Sequence, residues 1–156
     1  MEKGATFSRC GRYRYSLWRR WEEDAPYVLW ICLNPSTADA EEDDPTLRRC
    51  MGFAQDWGYG ASYTANLFAW RATKPQDMMK ASDPIGPNNN KAILRLAHDA
   101  GLVIAAWGNH GAHMDRASWA REQLPGLHFL KLNASGEPAH PLYLPQELTP
   151  QAFPVE

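Results

Sequence analysis

Seven consecutive apolar residues, Tyr27-Val28-Leu29-Trp30-Ile31-Cys32-Leu33, stop abruptly at Asn34-Pro35. A strand with one wet face alternates apolar and polar residues, so an unbroken run reads as a strand covered on both faces, as in a parallel sheet sandwiched by helices. The pattern recurs. Residues 62–70, 102–107 and 127–132 read as further strands, and each meets a polar segment at its end.

Helical signals separate these runs. Pro45 and the apolar-periodic stretch Leu47 to Trp57 predict a helix with Asp44 as N-cap and proline at the first helical position. A second helix is expected from Asn88 through His98, and a third from about Ala112 to Leu124. Alternation of this kind predicts an α/β protein, a three-layer α/β/α sandwich around a mostly parallel sheet of four to five strands. The 156 residues, 44% of them hydrophobic, suit a single domain over residues 1–156. Residues 1–25 are expected to form a basic N-terminal extension or an edge strand, because residues 12–18 alternate as Arg-Tyr-Arg-Tyr-Ser-Leu-Trp.

Ligands of such sheets bind beyond the carboxyl ends of the strands. Four segments are thereby expected on one rim: Asn34 to Asp39, Asn66 to Thr73, Gly108 to Gly111, and Asn133 to Leu144. The first sets an asparagine, a proline and two hydroxyls, Ser36 and Thr37, directly after a buried strand, which is the composition of a held binding loop and equally of a plain turn. Asn66 lies in an otherwise apolar strand, so its amide must satisfy backbone groups or read a ligand edge. His140, between Pro138 and Pro141, is a candidate proton donor or oxyanion stabiliser. Trp70 and Trp107 end strands where they can wall a pocket.

Several function classes are disfavoured. Glycine-rich phosphate loops and the Gly-x-Ser-x-Gly esterase elbow are absent. Three widely spaced cysteines suggest neither a disulfide framework nor a metal motif, and His110 with His113 lacks further ligands, so no metal and no cofactor are expected. Lacking an apolar run of membrane-spanning length or a secretory leader, the chain is expected to be cytoplasmic and without a membrane partner. The net charge of −2 argues against holding nucleic acid by bulk attraction. Charge is nonetheless segregated: residues 1–20 carry six Lys and Arg against Glu2, and residues 21–46 carry eight Asp and Glu with neither Lys nor Arg. The basic stretch either faces a polyanion or pairs with the acidic one.

The combination Leu33-Asn34-Pro35-Ser36, Asp44-x-Thr46, Asn66-Leu67-Phe68 and Trp107-Gly108 resembles a bacterial and phage family of unassigned function, domain of unknown function family 1643. The ordered rim segments also resemble, more distantly, the uracil-DNA glycosylase superfamily. Cys32-Leu33-Asn34-Pro35 is similar to its apolar-strand, Gly-x-Asn/Asp-Pro motif. Asn66 followed by Arg71 resembles a strand with Asn and a nearby Arg-Pro; Val103 to Gly108 resembles its later strand; and His140-Pro141-Leu142-Tyr143-Leu144 partly matches His-Pro-Ser-Pro-Leu.

That resemblance implies a uracil-DNA glycosylase-like fold and a monofunctional hydrolase of the N-glycosidic bond of uracil or a 5-substituted pyrimidine in DNA, acting by base flipping as a monomer without an iron–sulfur cluster. Asn34 would hold the attacking water, His140 would donate to the departing base, and Asn66 would read the base's pairing edge. The implied substrate-binding set is Pro35, Ser36, Asn66, Arg71, Gly108, Asn109 and Leu144. Ser36 leaves room where uracil-restricted members have tyrosine, and Leu144 corresponds to the wedge that fills the gap of a flipped base. A non-catalytic nucleotide or nucleic-acid binding protein, and a hydrolase of free nucleosides or nucleotides, remain the alternative readings.

Overall fold

The computed structural model describes residues 1–36 and 38–154, so Thr37 of the first rim segment lies outside the described residues. Its strands are β1 (Glu2–Phe7), β2 (Arg14–Arg20), β3 (Tyr27–Cys32), β4 (Ala61–Asn66), β5 (Leu102–Ala105), β6 (Leu127–Phe129) and β7 (Gln151–Ala152). Its helices are α1 (Pro45–Asp56), α2 (Pro75–Met79), α3 (Asn89–Asp99) and α4 (Arg116–Gln123), with short 3-10 turns at Asn109–Asp115 and Pro141–Tyr143.

All strands join one sheet in the order β1-β2-β4-β3-β5-β6-β7. The central four, β4-β3-β5-β6, are mutually parallel. The α/β class holds, but the sheet has seven strands rather than four or five and is mixed. β2 runs antiparallel to β4, β1 antiparallel to β2, and β7 antiparallel to β6. Residues 1–25 thus supply two sheet strands, and β2 is an interior strand whose other side is covered by β1.

The fully apolar β3 is buried at all six positions. Val28, Trp30 and Cys32 face α1, where they pack with Cys50, Phe53 and Ala54. Leu29 and Ile31 face the opposite layer, with Ile93 of α3 and Ala117 and Ala120 of α4. Period-two alternation of a strand apolar on both faces therefore builds two cores at once. Each large side chain so buried contributes roughly 1.5–3 kcal/mol.

Asp44 caps α1 as expected, its Oδ1 accepting the Leu47 N–H at 2.8 Å, with Pro45 at the first turn. Four predicted elements are shorter, β5 and β6 ending before residues 107 and 132, at Ala105 and Phe129. The strand expected over 62–70 ends at Asn66, since the Ala69 and Trp70 N–H groups leave the ladder for the carbonyls of Ile85 and Pro84. The helix expected from Ala112 starts at Arg116 because Met114 and Asp115 adopt positive φ of 53° and 56°, which no helix continues through. Arg116 is buried there, its Nε and Nη2 both donating to the Leu67 carbonyl at 3.0 and 2.9 Å. No helix among the described residues is long and apolar enough to cross a membrane.

Candidate functional site

In chain order the parallel strands β3, β4, β5 and β6 are laid out second, first, third, fourth. The chain leaves β3 toward β4 on one side and returns to β5 on the other. That reversal opens a crevice beyond the carboxyl ends of β3, β4 and β5. A cavity of about 390 Å³ lies there, within the size range of small-molecule sites.

Asn34 and Ser36 line it from the end of β3, Asn66 from β4, Trp107, Gly108 and Asn109 from the end of β5, and His140 from the segment after β6. Side chains from all four rim segments thus meet in one cavity.

Each is held by identifiable contacts. The Asn34 Nδ2 donates to the carbonyls of Ala72 at 2.8 Å and Pro35 at 3.2 Å, which ties the first rim segment to the second and leaves Oδ1 outside these bonds. Asn66 is buried, and its Oδ1 accepts from Arg14 Nη2 at 3.4 Å. His140 sits at the lip, partly open to solvent, its Nδ1 accepting the Leu142 N–H at 3.3 Å. The neutral ring consequently carries its proton on Nε2. Desolvation lowers the His140 pKa from its ordinary 6.5, with the Asp44 carboxylate pulling the other way, so the ring is neutral at pH 7. Gly108 adopts φ 73°, ψ −172°, a combination essentially reserved for glycine, and its N–H donates to Pro138 at 2.8 Å. Asn109 spends its Oδ1 on Asn133 and Ser135, at 3.0 and 2.6 Å, which closes the rim.

Three residues expected at the site stand elsewhere. Pro35 is buried behind the lining, its carbonyl accepting the Ala72 N–H at 3.0 Å. Arg71 turns away from the cavity, donating to the Gly11 carbonyl at 3.0 Å with its guanidinium over the Phe7 ring. Leu144 is 8% exposed and packs in the α1-side core beside Trp30 and Phe53, so it is not free to wedge into a duplex. The neighbouring Tyr143 is the exposed residue, at 91%. Of the aromatics, Trp107 lines the cavity, whereas Trp70 lies under the Arg12 guanidinium. His110 reaches the cavity, while the His113 ring packs against Phe68.

Two charged residues line the cavity that the four rim segments do not include. Arg14, 4% exposed, lines the floor; it donates to the Ala38 carbonyl at 2.7 Å, and its buried Nε has no partner among the described residues. Burial pushes its pKa down to about 10, against the pull of Asp44, so it remains a cation at neutral pH. Asp44 lines the wall. Cys32 also reaches the cavity, but burial raises its thiol to about 12 and keeps it protonated.

A family model described as "Protein of unknown function (DUF1643)" matches residues 14–142, the span from Arg14 of β2 to the turn after His140. No curated protein and no solved structure matches the chain.

Proposed function

Starting from a chain that belongs to the DUF1643 family of proteins of unknown function, we propose that it hydrolyses the N-glycosidic bond of uracil or a 5-substituted pyrimidine in DNA. The observation carrying this reading is the meeting of Asn34, Asn66 and His140, from three separate post-strand segments, in one cavity. Their chemistry is complementary. Breaking the bond develops positive charge on the sugar and negative charge on the base, so a site must present water to one and donors to the other.

Asn34, with Nδ2 committed to backbone carbonyls, offers Oδ1 to orient a water molecule. His140, neutral and protonated on Nε2, donates to a base oxygen as charge grows there, without first losing a proton. Arg14 holds the Oδ1 of Asn66 and thereby turns the amide donors toward a carbonyl-bearing edge such as that of uracil or thymine. Trp107 supplies an aromatic wall, and Ser36 leaves space for a substituent on the ring.

A second reading, a nucleotide-binding protein without catalysis, is favoured by the structural use of the Asn34 amide as a brace between two rim segments. One assay distinguishes them. Single- and double-stranded oligonucleotides bearing uracil, 5-hydroxymethyluracil or mismatched thymine are incubated with the protein, and abasic sites are scored. The hydrolase reading expects abasic sites, with Asn34→Ala and His140→Ala each slowing release tenfold or more, about 1.4 kcal/mol or above. Tight binding without release supports the second reading; unchanged rates in both variants remove the assigned roles.

A further inference from the structure

An attacking water must lose a proton, and an asparagine amide cannot take one. Among the described residues lining the cavity, Asp44 is the single carboxylate. Of the other titratable groups there, the Cys32 thiol stays protonated, Arg14 is a cation, and His140 has its Nδ1 lone pair occupied by the Leu142 N–H; His110 also reaches the cavity, but it is exposed on the 3-10 turn after β5 and no side-chain hydrogen bond among the described residues fixes its ring.

We infer that Asp44 is the general base of this site, an assignment that rests on the N-glycosidic reading above. As N-cap of α1 its Oδ1 accepts the Leu47 N–H at 2.8 Å, which fixes the carboxylate on a rigid element and leaves the second oxygen for a ligand. The groups around it are the Arg14 guanidinium on β2, the Cys32 thiol on β3, the Cys50 thiol on its own helix and the His140 imidazole on the opposite lip.

In the step, the water oxygen forms a bond to the anomeric carbon of the sugar while its proton passes to the free oxygen of Asp44. The carbon–nitrogen bond breaks, and its electron pair leaves on the base, where the Nε2–H of His140 stabilises the anion. Asn34 and Asp44 divide the task that an aspartate in the place of Asn34 would perform alone.

Serine and asparagine are as good N-caps as aspartate, so Asp44→Asn and Asp44→Ser remove the base while keeping the helix start. Both variants are expected to lose about a hundredfold or more in base release. Their melting behaviour and oligonucleotide affinity should remain close to those of the unaltered chain. Added formate, a diffusible carboxylate, should restore part of the Asp44→Ser rate and none of the His140→Ala rate. An Asp44→Asn rate within about threefold of the unaltered chain, or an Asp44→Ser rate that formate does not raise, overturns the assignment. Rate losses in Asn34→Ala and His140→Ala would then still stand for the N-glycosidic reading. An unaltered chain that releases no base overturns both.

Discussion

His140 and Arg14 oppose each other in how legible they are. His140 announces itself by its proline-flanked loop after the last parallel strand, and it does line the cavity. Arg14 reads as one of six basic residues on an N-terminal stretch, because nothing local indicates that β1 covers β2 and drives its side chain inside. The depressed pKa of His140 also has a sign that can be measured. The unfolded chain takes up a proton near pH 6.5, whereas the folded ring resists it. The stability associated with the neutral ring is therefore present above about pH 6.5 and lost as the pH falls through the lower folded value. Melting curves of the unaltered chain and His140→Gln from pH 8 down to pH 5 are expected to show the unaltered chain losing ground to the variant below about 6.5. A constant gap across that range would contradict the burial-driven shift.

At the scale of elements, the turn that bears His140 owes its position to α1 rather than to its own sequence. Arg49 donates to the Leu144 carbonyl and, at 2.6 Å, to Gln146 Oε1, while Gln146 Nε2 donates to Asp56 at 2.6 Å near the helix end. The helix whose first residue follows Asp44 thus also clamps the segment that presents His140, setting the two sides of the cavity from one rigid body. Leu144 is pulled into the core by the same clamp, which is why matching a motif by spacing alone misplaced it. Spacing records which residues follow one another, not which of two neighbours points inward. Arg49→Ala should slow base release about tenfold, roughly 1.4 kcal/mol, through a loosened His140, with only a small drop in melting temperature since the pair is partly exposed. A variant that keeps the full rate would show that the turn holds itself.

Across the whole molecule, the central strands were legible as largely apolar runs that stop at polar segments, β3 without a break, whereas the pairing of the flanking antiparallel strands was not. The alternation over residues 12–18 marks β2 as a strand but not its pairing with β4 across more than forty residues, and β7, two residues long, leaves no local signature. The same non-local join explains the segregated charge. Arg19, fully buried, donates through Nε to Asp43 at 2.8 Å and through its terminal nitrogens to the carbonyls of Trp18, Asp39 and Glu42. Arg14 and Arg20 likewise spend themselves on backbone carbonyls, of Ala38 and of Glu22 and Ala25. Arg14 and Arg19 hold the acidic loop before α1 against the sheet, and that loop carries Asp44 into the cavity wall. Arg19→Met would leave several carbonyls without a donor and Asp43 without its partner, at a cost of about 3 kcal/mol. Arg19→Lys should recover little of it, since an ammonium cannot reproduce the planar fork. Asp43→Asn, which removes charge from a partly exposed partner, should cost no more than about 1 kcal/mol. Denaturant melts of the three variants test that ranking. Equal losses for Arg19→Met and Asp43→Asn would mean that the ion pair, not the carbonyl cage, joins the two halves.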